Sequence, residues 1–448
     1  EVYLERLMSA AHAHEWAIVG VGTRAPDRAV PAALRGQDWL TTVVEQSAAR
    51  STARVTGPMI EMIPPGETER TLARLADPAI RLVTLTITEG GYCIDPATGR
   101  FDPAHPEIAA DARDPQAPVT AFGLILSGLE RRRAAGTPPF TVASCDNLPH
   151  NGEVTKNAVA GLAGLRDPKL ADWVRAEVAF PNAMVDRITP ATGRRERDLV
   201  QAEHGVEDAW PVFCEDYIQW VLEDRFPQGR PPLETVGVEL ASDVAPFELM
   251  KLRILNGGHA AIAYPGVLLG IHFVHDAMAD PQIRGFLRKL ATEEIIPVVP
   301  PVPGTDLHAY FDLIERRFSN PKIGDTIPRL AHDGSNRQPK FILPAVRDRL
   351  ARGLPVTGLA LESALWCRCC ALVDEQGGAM PPNDPAAERL KGPALAAKDA
   401  PAAFLGLTDI YGELGRAPAF AEAFARALGM LWRDGARATL ARYLEGGA

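Results

Sequence analysis

Ile80-Arg-Leu-Val-Thr-Leu-Thr-Ile87 runs straight into Thr88-Glu-Gly-Gly91. A run this rich in β-branched and apolar residues reads as a strand, and the glycines after it read as a turn. Residues 120–135 then carry a helical pattern, with Arg131, Arg132 and Arg133 in the last turn and Gly136 as its stop. Phe140-Thr-Val-Ala143 is the next strand and leads into Ser144-Cys-Asp-Asn147. A strand, a helix and a strand in this order indicate a parallel sheet with helices on both faces.

Toward the N-terminus the same alternation continues. Residues 1–14 suit a helix, and Trp16-Ala-Ile-Val-Gly-Val-Gly22 is a short apolar strand ending in glycines. Residues 54–63 read as extended and 67–75 as a helix. Ligands of such sheets bind outside the carboxyl ends of the strands. Three polar turns occupy that place: residues 20–27, 88–91 and 144–151. Asp27, soon after the first of these strands, suits NAD, because a carboxylate accepts from the ribose hydroxyls and repels a 2′-phosphate. Arg24 and Arg28 lie close enough to leave some NADP use open. Gly20-Val-Gly22 is not a complete G-x-G-x-x-G and sits where a second strand should end. The first strand and its phosphate loop are therefore expected upstream of Glu1.

Toward the C-terminus, residues 152–164 and 169–178 read as helices. Residues 208–224 read as a strand and then a helix, and the Pro/Gly-rich stretch 226–232 reads as a linker. From about Ser242 onward the period is mostly helical. The expected fold class is α/β followed by α, with a Rossmann-type NAD-binding domain over 1–241 and a mostly α-helical substrate domain over 242–448.

At the start of that second part stands Glu248-Leu-Met-Lys251-Leu-Arg-Ile-Leu-Asn256-Gly-Gly-His259, in an apolar run without proline until Pro265. At about 100° per residue, with Lys251 at zero, Glu248 falls near ~60°, His259 near ~80° and Asn256 near ~140°. Arg253 points the other way. An ammonium, an amide and an imidazole on one face of an apolar helix are costly to bury unless they have partners or work to do. A lysine alone in an amphipathic helix is usually a snorkelling surface group, and a lone histidine is usually a satisfied core residue. It is their shared arc that favours chemistry. Hydride transfer from a secondary alcohol needs a base for the hydroxyl proton and donors for the oxyanion-like oxygen. A lysine of lowered pKa can be that base, and asparagine amides are suitable donors. A metal-assisted route would need His, Cys or carboxylate ligands at tight spacing. None is legible, so no metal is expected.

The chain has 448 residues, 46% hydrophobic and 23% charged, with a formal net charge of −10. That balance offers no general attraction to nucleic acid or to anionic membranes. No apolar run reaches membrane-spanning length, and no signal peptide is visible. Six cysteines without paired spacing suit reduced thiols and a cytoplasmic location. Cys367, Cys369 and Cys370 read as helix packing.

Taken together, the motifs resemble the polyol-specific long-chain dehydrogenase/reductase family over nearly the whole chain. Lys251-Leu-Arg-Ile-Leu-Asn256-Gly-Gly-His259 carries the resemblance most strongly. Ser144-Cys-Asp-Asn147-Leu-Pro-His-Asn151-Gly, Val185-Asp186-Arg-Ile-Thr-Pro190 and Glu215-Asp-Tyr-Ile-Gln-Trp220 agree with it. So does Ile327-Pro-Arg329-Leu-Ala-His332-Asp-Gly-Ser-Asn-Arg-Gln-Pro-Lys340-Phe. The resemblance implies a metal-free site between a nucleotide domain and a helical domain. It makes Lys251 the general base or acid, Asn147 and Asn256 the oxyanion donors and His259 a substrate-orienting group. Glu248 would serve proton exit from the lysine, and Asp186, Arg329 and His332 would contact other hydroxyls. Thr88, Gly90 and Val185, with Asp27, would bind the cofactor NAD. The implied reaction is reversible oxidation of D-mannitol to D-fructose. D-arabinitol or sorbitol oxidation and fructuronate or tagaturonate reduction are the alternatives within the family. From a different class, a non-catalytic nucleotide-binding protein is the distant alternative. The expected partner is a small polyol or ketose, and the expected state a monomer.

Overall fold

The computed structural model describes residues 2–10, 15–24, 28–95 and 100–446. The chain divides into two compact units, Glu1–Ala245 and Pro246–Ala448.

In the first unit the strands are β1 (Ile18–Val21), β2 (Thr41–Gln46), β3 (Ser51–Thr56), β4 (Met59–Ile63), β5 (Leu82–Leu85), β6 (Ile94–Asp95), β7 (Arg100–Phe101), β8 (Thr141–Ser144), β9 (Ala183–Asp186), β10 (Val212–Glu215), β11 (Gln219–Glu223) and β12 (Glu239–Ala241). The pair expected from the opening stretch forms as a parallel ladder, β5 on β8, with Leu82 opposite Thr141 and Leu85 opposite Ser144. Strand β1 pairs β4 in parallel. The pairing elsewhere is mixed: β2 runs parallel to β10 and antiparallel to β3, while β11 runs antiparallel to β9 and parallel to β12.

Residues 208–224 depart from the sequence expectation, because the second half is β11 and not a helix. Its Val221 and Leu222 are fully buried. A five-residue segment with a three-residue apolar centre is too short to show a period of its own, so the strands on either side decide its conformation.

The helix expected over 120–135 spans Ala121–Ala134. Thr120 caps its first turn by accepting from the Gly123 N–H at 2.9 Å. At its other end Arg132 is buried and donates to the carbonyls of Leu75, Asp77, Ile80 and Pro138 at 2.7–3.1 Å. A guanidinium with five fixed donors can satisfy several otherwise orphaned carbonyls, and here it ties the helix to the chain entering β5. Leu85 and Val142 of the ladder, with Phe140 just before β8, pack with Ile125, Leu126, Leu129, Val159 and Leu162 from the Ala121–Ala134 and Asn151–Arg166 helices. That core holds the carboxyl ends of β5 and β8 side by side.

The second unit is helical, as its period suggests. The helical stretch that carries Glu248, Lys251 and His259 continues through Pro265 to Leu268. It is not uniform. Ala245–Met250 is α-helical, Lys251–Asn256 is a π-turn, and Gly257–Leu268 is α-helical again. The Gly257 N–H reaches back to the Leu252 carbonyl, five residues earlier. Ala260–Pro265 are buried all round, which is why no polar stripe marks this stretch. No helix among the described residues is long and apolar enough to cross a membrane.

Candidate active site

In the first unit, the residues expected to meet a nucleotide lie at the carboxyl ends of β5, β8 and β9. Thr88 follows β5 with φ 61°, a rare conformation for a branched side chain. Asp146 holds it there. Its carboxylate accepts from the Ile87 N–H at 3.0 Å, the Thr88 N–H at 2.9 Å and the Tyr92 hydroxyl at 2.8 Å. Gly90 is exposed, and the space where its side chain would be is open to 4 Å. Asn151 joins β8 to β9: its amide donates to the Ser144, Asp146 and Ala183 carbonyls and accepts from the Ala183 N–H at 2.9 Å. Val185 and Asp186 end β9, the first half-buried and the second buried, with Asp186 opposite Gln219 of β11. Asn147 is exposed in the turn after β8. An open glycine turn beside two parallel strand ends fits a dinucleotide. Asp27 lies outside the described residues.

In the second unit, Glu248 and Lys251 are both buried, at 7% and 9% exposure. The arc deduced from 100° per residue needs correction, because Lys251 opens the π-turn. In a turn closed by i→i+5 bonds, residue i+5 comes round close to residue i, so Asn256 lies at a smaller angle from Lys251 than the ~140° of an α-helix. The π-turn thus tightens the cluster that the spacing only sketched. Arg253 does face away, donating to the Val298 carbonyl and pairing with Asp348, both at 2.7 Å. Two acceptors or donors on the other side lack a protein partner: Asn256 Oδ1 and His259 Nε2 are buried and unpaired. The His259 ring stacks on Phe318, 4.3 Å between centroids with 17° between planes. Desolvation pushes its imidazole down to about 3; the charge of Asp325 works against that shift, and those of Arg329, Arg317 and Arg337 work with it. The ring is therefore neutral at physiological pH, able to donate from one nitrogen and accept at the other.

Arg329 is exposed on the short Ile327–Ala331 helix, and His332 is exposed just after it. Sequence reasoning missed what fixes Arg329. Asp325 takes its Nε and Nη2 in a side-on pair. Asp325 itself is anchored, because the Ile327 N–H donates to the His272 carbonyl at 2.8 Å and the Val274 N–H to the Asp325 carbonyl at 3.0 Å. The signal was available as a carboxylate four residues before an arginine. Asp146 gave no such signal, because its partners lie 58 and 59 residues away.

The following segment, Gly334–Phe341, is a helix. Gln338 Nε2 donates to both oxygens of Glu362 at 2.7 and 2.9 Å, and the Ser363 hydroxyl donates to Gln338 Oε1 at 3.1 Å. Glu362 is fully enclosed, and burial raises its carboxyl to about 8. The cysteine cluster packs on the neighbouring Thr357–Cys370 helix, with Cys367 and Cys370 buried.

A buried lysine, a neutral imidazole and an amide with an unpaired oxygen, carried on one stretch of helix, are the residue types that moving the proton of an alcohol would need. Comparison with known proteins bears on the chain as a whole. Residues 2–235 match the model of the mannitol dehydrogenase Rossmann domain, and 243–432 match that of the mannitol dehydrogenase C-terminal domain. The chain belongs to the mannitol dehydrogenase family. Among members of this family, a mannitol 2-dehydrogenase of Cereibacter sphaeroides is 54% identical over 444 residues, covering 99% of this chain and 93% of that protein. A mannitol 2-dehydrogenase of Aspergillus fumigatus is 39% identical, covering 99% and 90%. The mannitol 2-dehydrogenase of Pseudomonas fluorescens, solved as a ternary complex with NAD and D-mannitol, is 42% identical with a TM-score of 0.86, covering 99% and 91%. A substrate-free D-sorbitol dehydrogenase is 35% identical with a TM-score of 0.90, covering 98% and 91%.

Proposed function

We propose that this chain is an NAD-dependent mannitol 2-dehydrogenase, oxidising D-mannitol to D-fructose reversibly and without a metal. The observation that carries the reading is the buried π-turn that begins at Lys251 and ends at Asn256. Its residues match the family motif. In the oxidation, Lys251 Nζ in its neutral form takes the hydroxyl proton of the reacting carbinol. The Asn256 amide donates to the oxygen as its charge grows, which lowers the barrier because the donor is already in place. His259, neutral and held flat on Phe318, orients the substrate by accepting from or donating to a neighbouring hydroxyl. NAD, when bound, accepts the hydride. The proton then leaves Lys251 toward Glu248. In the first unit, Thr88, Gly90, Val185 and Asp27 are assigned to the cofactor, while Asn147 is assigned a donor role and Asp186 a hydroxyl contact by family resemblance. Arg329, fixed by Asp325, and His332 are assigned to the distal hydroxyls. We also assign a cytoplasmic location, which suits six free cysteines, and a monomeric state.

The test is a panel of polyols and ketoses with NAD(H) and NADP(H), run with Lys251→Ala beside the wild type. The expected result is highest kcat/KM on D-mannitol with NAD, and a loss of about 10²–10⁴-fold in kcat for the variant with NADH binding retained. Near wild-type turnover by Lys251→Ala would remove the base assignment. Preference for sorbitol, which the match to a D-sorbitol dehydrogenase keeps as the second reading, would change the substrate but not the mechanism.

A further inference from the structure

Away from the residues assigned to catalysis, the first unit brings together three metal-ligating side chains of different kinds. A ligand atom from each of Cys93, His105 and Glu107 lies within 4.8 Å of the others. Cys93 ends the Glu89–Tyr92 turn in a left-handed conformation, φ 50° and ψ 51°, and its carbonyl accepts from the Asp102 N–H at 2.9 Å. His105 is the residue before the Pro106–Arg113 helix, and Glu107 lies in the first turn. Pro106 fixes the backbone between them, and the Ala109 N–H donates to the His105 carbonyl at 2.9 Å. The three side chains therefore come from two anchored pieces of backbone.

Their environment favours a cation. Cys93 is buried, His105 half-buried and Glu107 exposed, which gives the cluster one open side. His105 Nδ1 is a buried nitrogen with no hydrogen-bond partner, a condition that is destabilising unless something engages it. Asp102 and Asp111 add negative charge around Cys93 besides that of Glu107, and Arg24 adds a smaller positive contribution. A thiolate, an imidazole and a carboxylate are the mixed sulfur, nitrogen and oxygen donors that zinc accepts in tetrahedral geometry. Magnesium and calcium prefer oxygen alone, so the thiol argues against them.

We propose that Cys93, His105 and Glu107 form a binding site for a divalent cation of the zinc class, with water as the fourth ligand. On binding, the Cys93 S–H bond breaks, the sulfur–metal bond forms, and the proton passes to solvent. The metal fastens the turn that follows Thr88–Gly91 to the start of the Pro106–Arg113 helix.

The experiment is titration of the full chain, stripped by chelator, with Co²⁺, followed through thiolate-to-cobalt charge-transfer absorption and d–d bands. The expected result is one equivalent bound with a charge-transfer band, displaced by Zn²⁺. Cys93→Ser should abolish the band, and His105→Ala should weaken Co²⁺ binding by at least about tenfold. Glu107→Gln should weaken it less, because the carboxylate stands on the open side. NADH binding by metal-free His105→Ala, unchanged from that of the metal-free wild type, shows that the variant folds. Absence of a charge-transfer band in the wild type overturns the proposal, as does a band that persists in Cys93→Ser or an affinity unchanged in His105→Ala. None of these readouts depends on catalysis.

Discussion

Replacing Asp325 with asparagine isolates one side chain that touches no reacting atom in the proposed reaction. Asp325 engages Arg329 through Nε and Nη2, which leaves Nη1 for a ligand. An arginine side chain carries about 2 kcal/mol of rotamer entropy, and a fixed pair removes part of it before substrate arrives. The Arg329 side chain is 56% exposed while that of Asp325 is 9% exposed, so water screens the arginine's end of the pair. A fair discount leaves about 1 kcal/mol, or about fivefold in KM. Steady-state kinetics at saturating NAD should therefore show Asp325→Asn with KM for D-mannitol raised about fivefold and kcat within about twofold, because Lys251 is untouched. Arg329→Ala should raise KM more. The double variant should be no worse than Arg329→Ala alone where the effect of the aspartate on KM runs through the arginine. An unchanged KM in Asp325→Asn beside a raised KM in Arg329→Ala would refute the positioning argument. Fully additive effects in the double variant would do the same.

Asp146→Asn removes an acceptor shared by two backbone N–H groups and a phenol. The Thr88 turn should loosen by about 1–3 kcal/mol, seen as faster amide exchange at Ile87 and Thr88 and weaker NADH binding by about tenfold. Unchanged exchange there would mean that the carboxylate does not hold the turn. Glu362 is kept protonated in the folded chain, near 8 against 4.5 for the ordinary carboxyl. Between those values the folded state holds a proton that the unfolded state has released, so stability falls as pH rises from about 4.5 through 8. Glu362→Gln should flatten that fall, and denaturant titrations at pH 5 and pH 8 should show the variant gaining stability relative to wild type only at the higher pH. Gly334→Ala sets a methyl group against Trp366 Nε1 and 2.7 Å from the Tyr264 oxygen. Overpacking of this kind costs about 1–3 kcal/mol, read as a fall of several degrees in Tm; an unchanged Tm would show that the Trp366 ring can move aside.

Burial silences His259 as a titrating group. With its imidazole pushed down to about 3, His259 should contribute no step to the pH dependence of kcat/KM above pH 5. His259→Asn should lower activity without moving the profile. A profile whose midpoint moved in that variant would give the imidazole a proton-carrying role.

The order of strands and helices through 80–143 and the helical period beyond Ser242 were legible because period and turn residues are local properties of a chain. So was the motif from Lys251 to His259, since three polar types within nine positions of an apolar helix stand out at any distance from their partners. What the sequence could not carry were features settled by neighbours far along the chain. Residues 219–223 became a strand because β9 and β12 offered ladders on both sides. The π-turn at Lys251 depends on one extra residue being accommodated between two α-helical segments, and it leaves no mark in the period. Asp146 and Asp325 acquired their work from folded geometry: the first meets N–H groups almost sixty positions away, the second has its carbonyl held by the N–H of Val274, about fifty positions away. Residue types and spacing thus determined the chemistry available to this protein. The tertiary structure decided which of those groups are held still, because hydrogen bonds between distant backbone segments cannot be read from either segment alone.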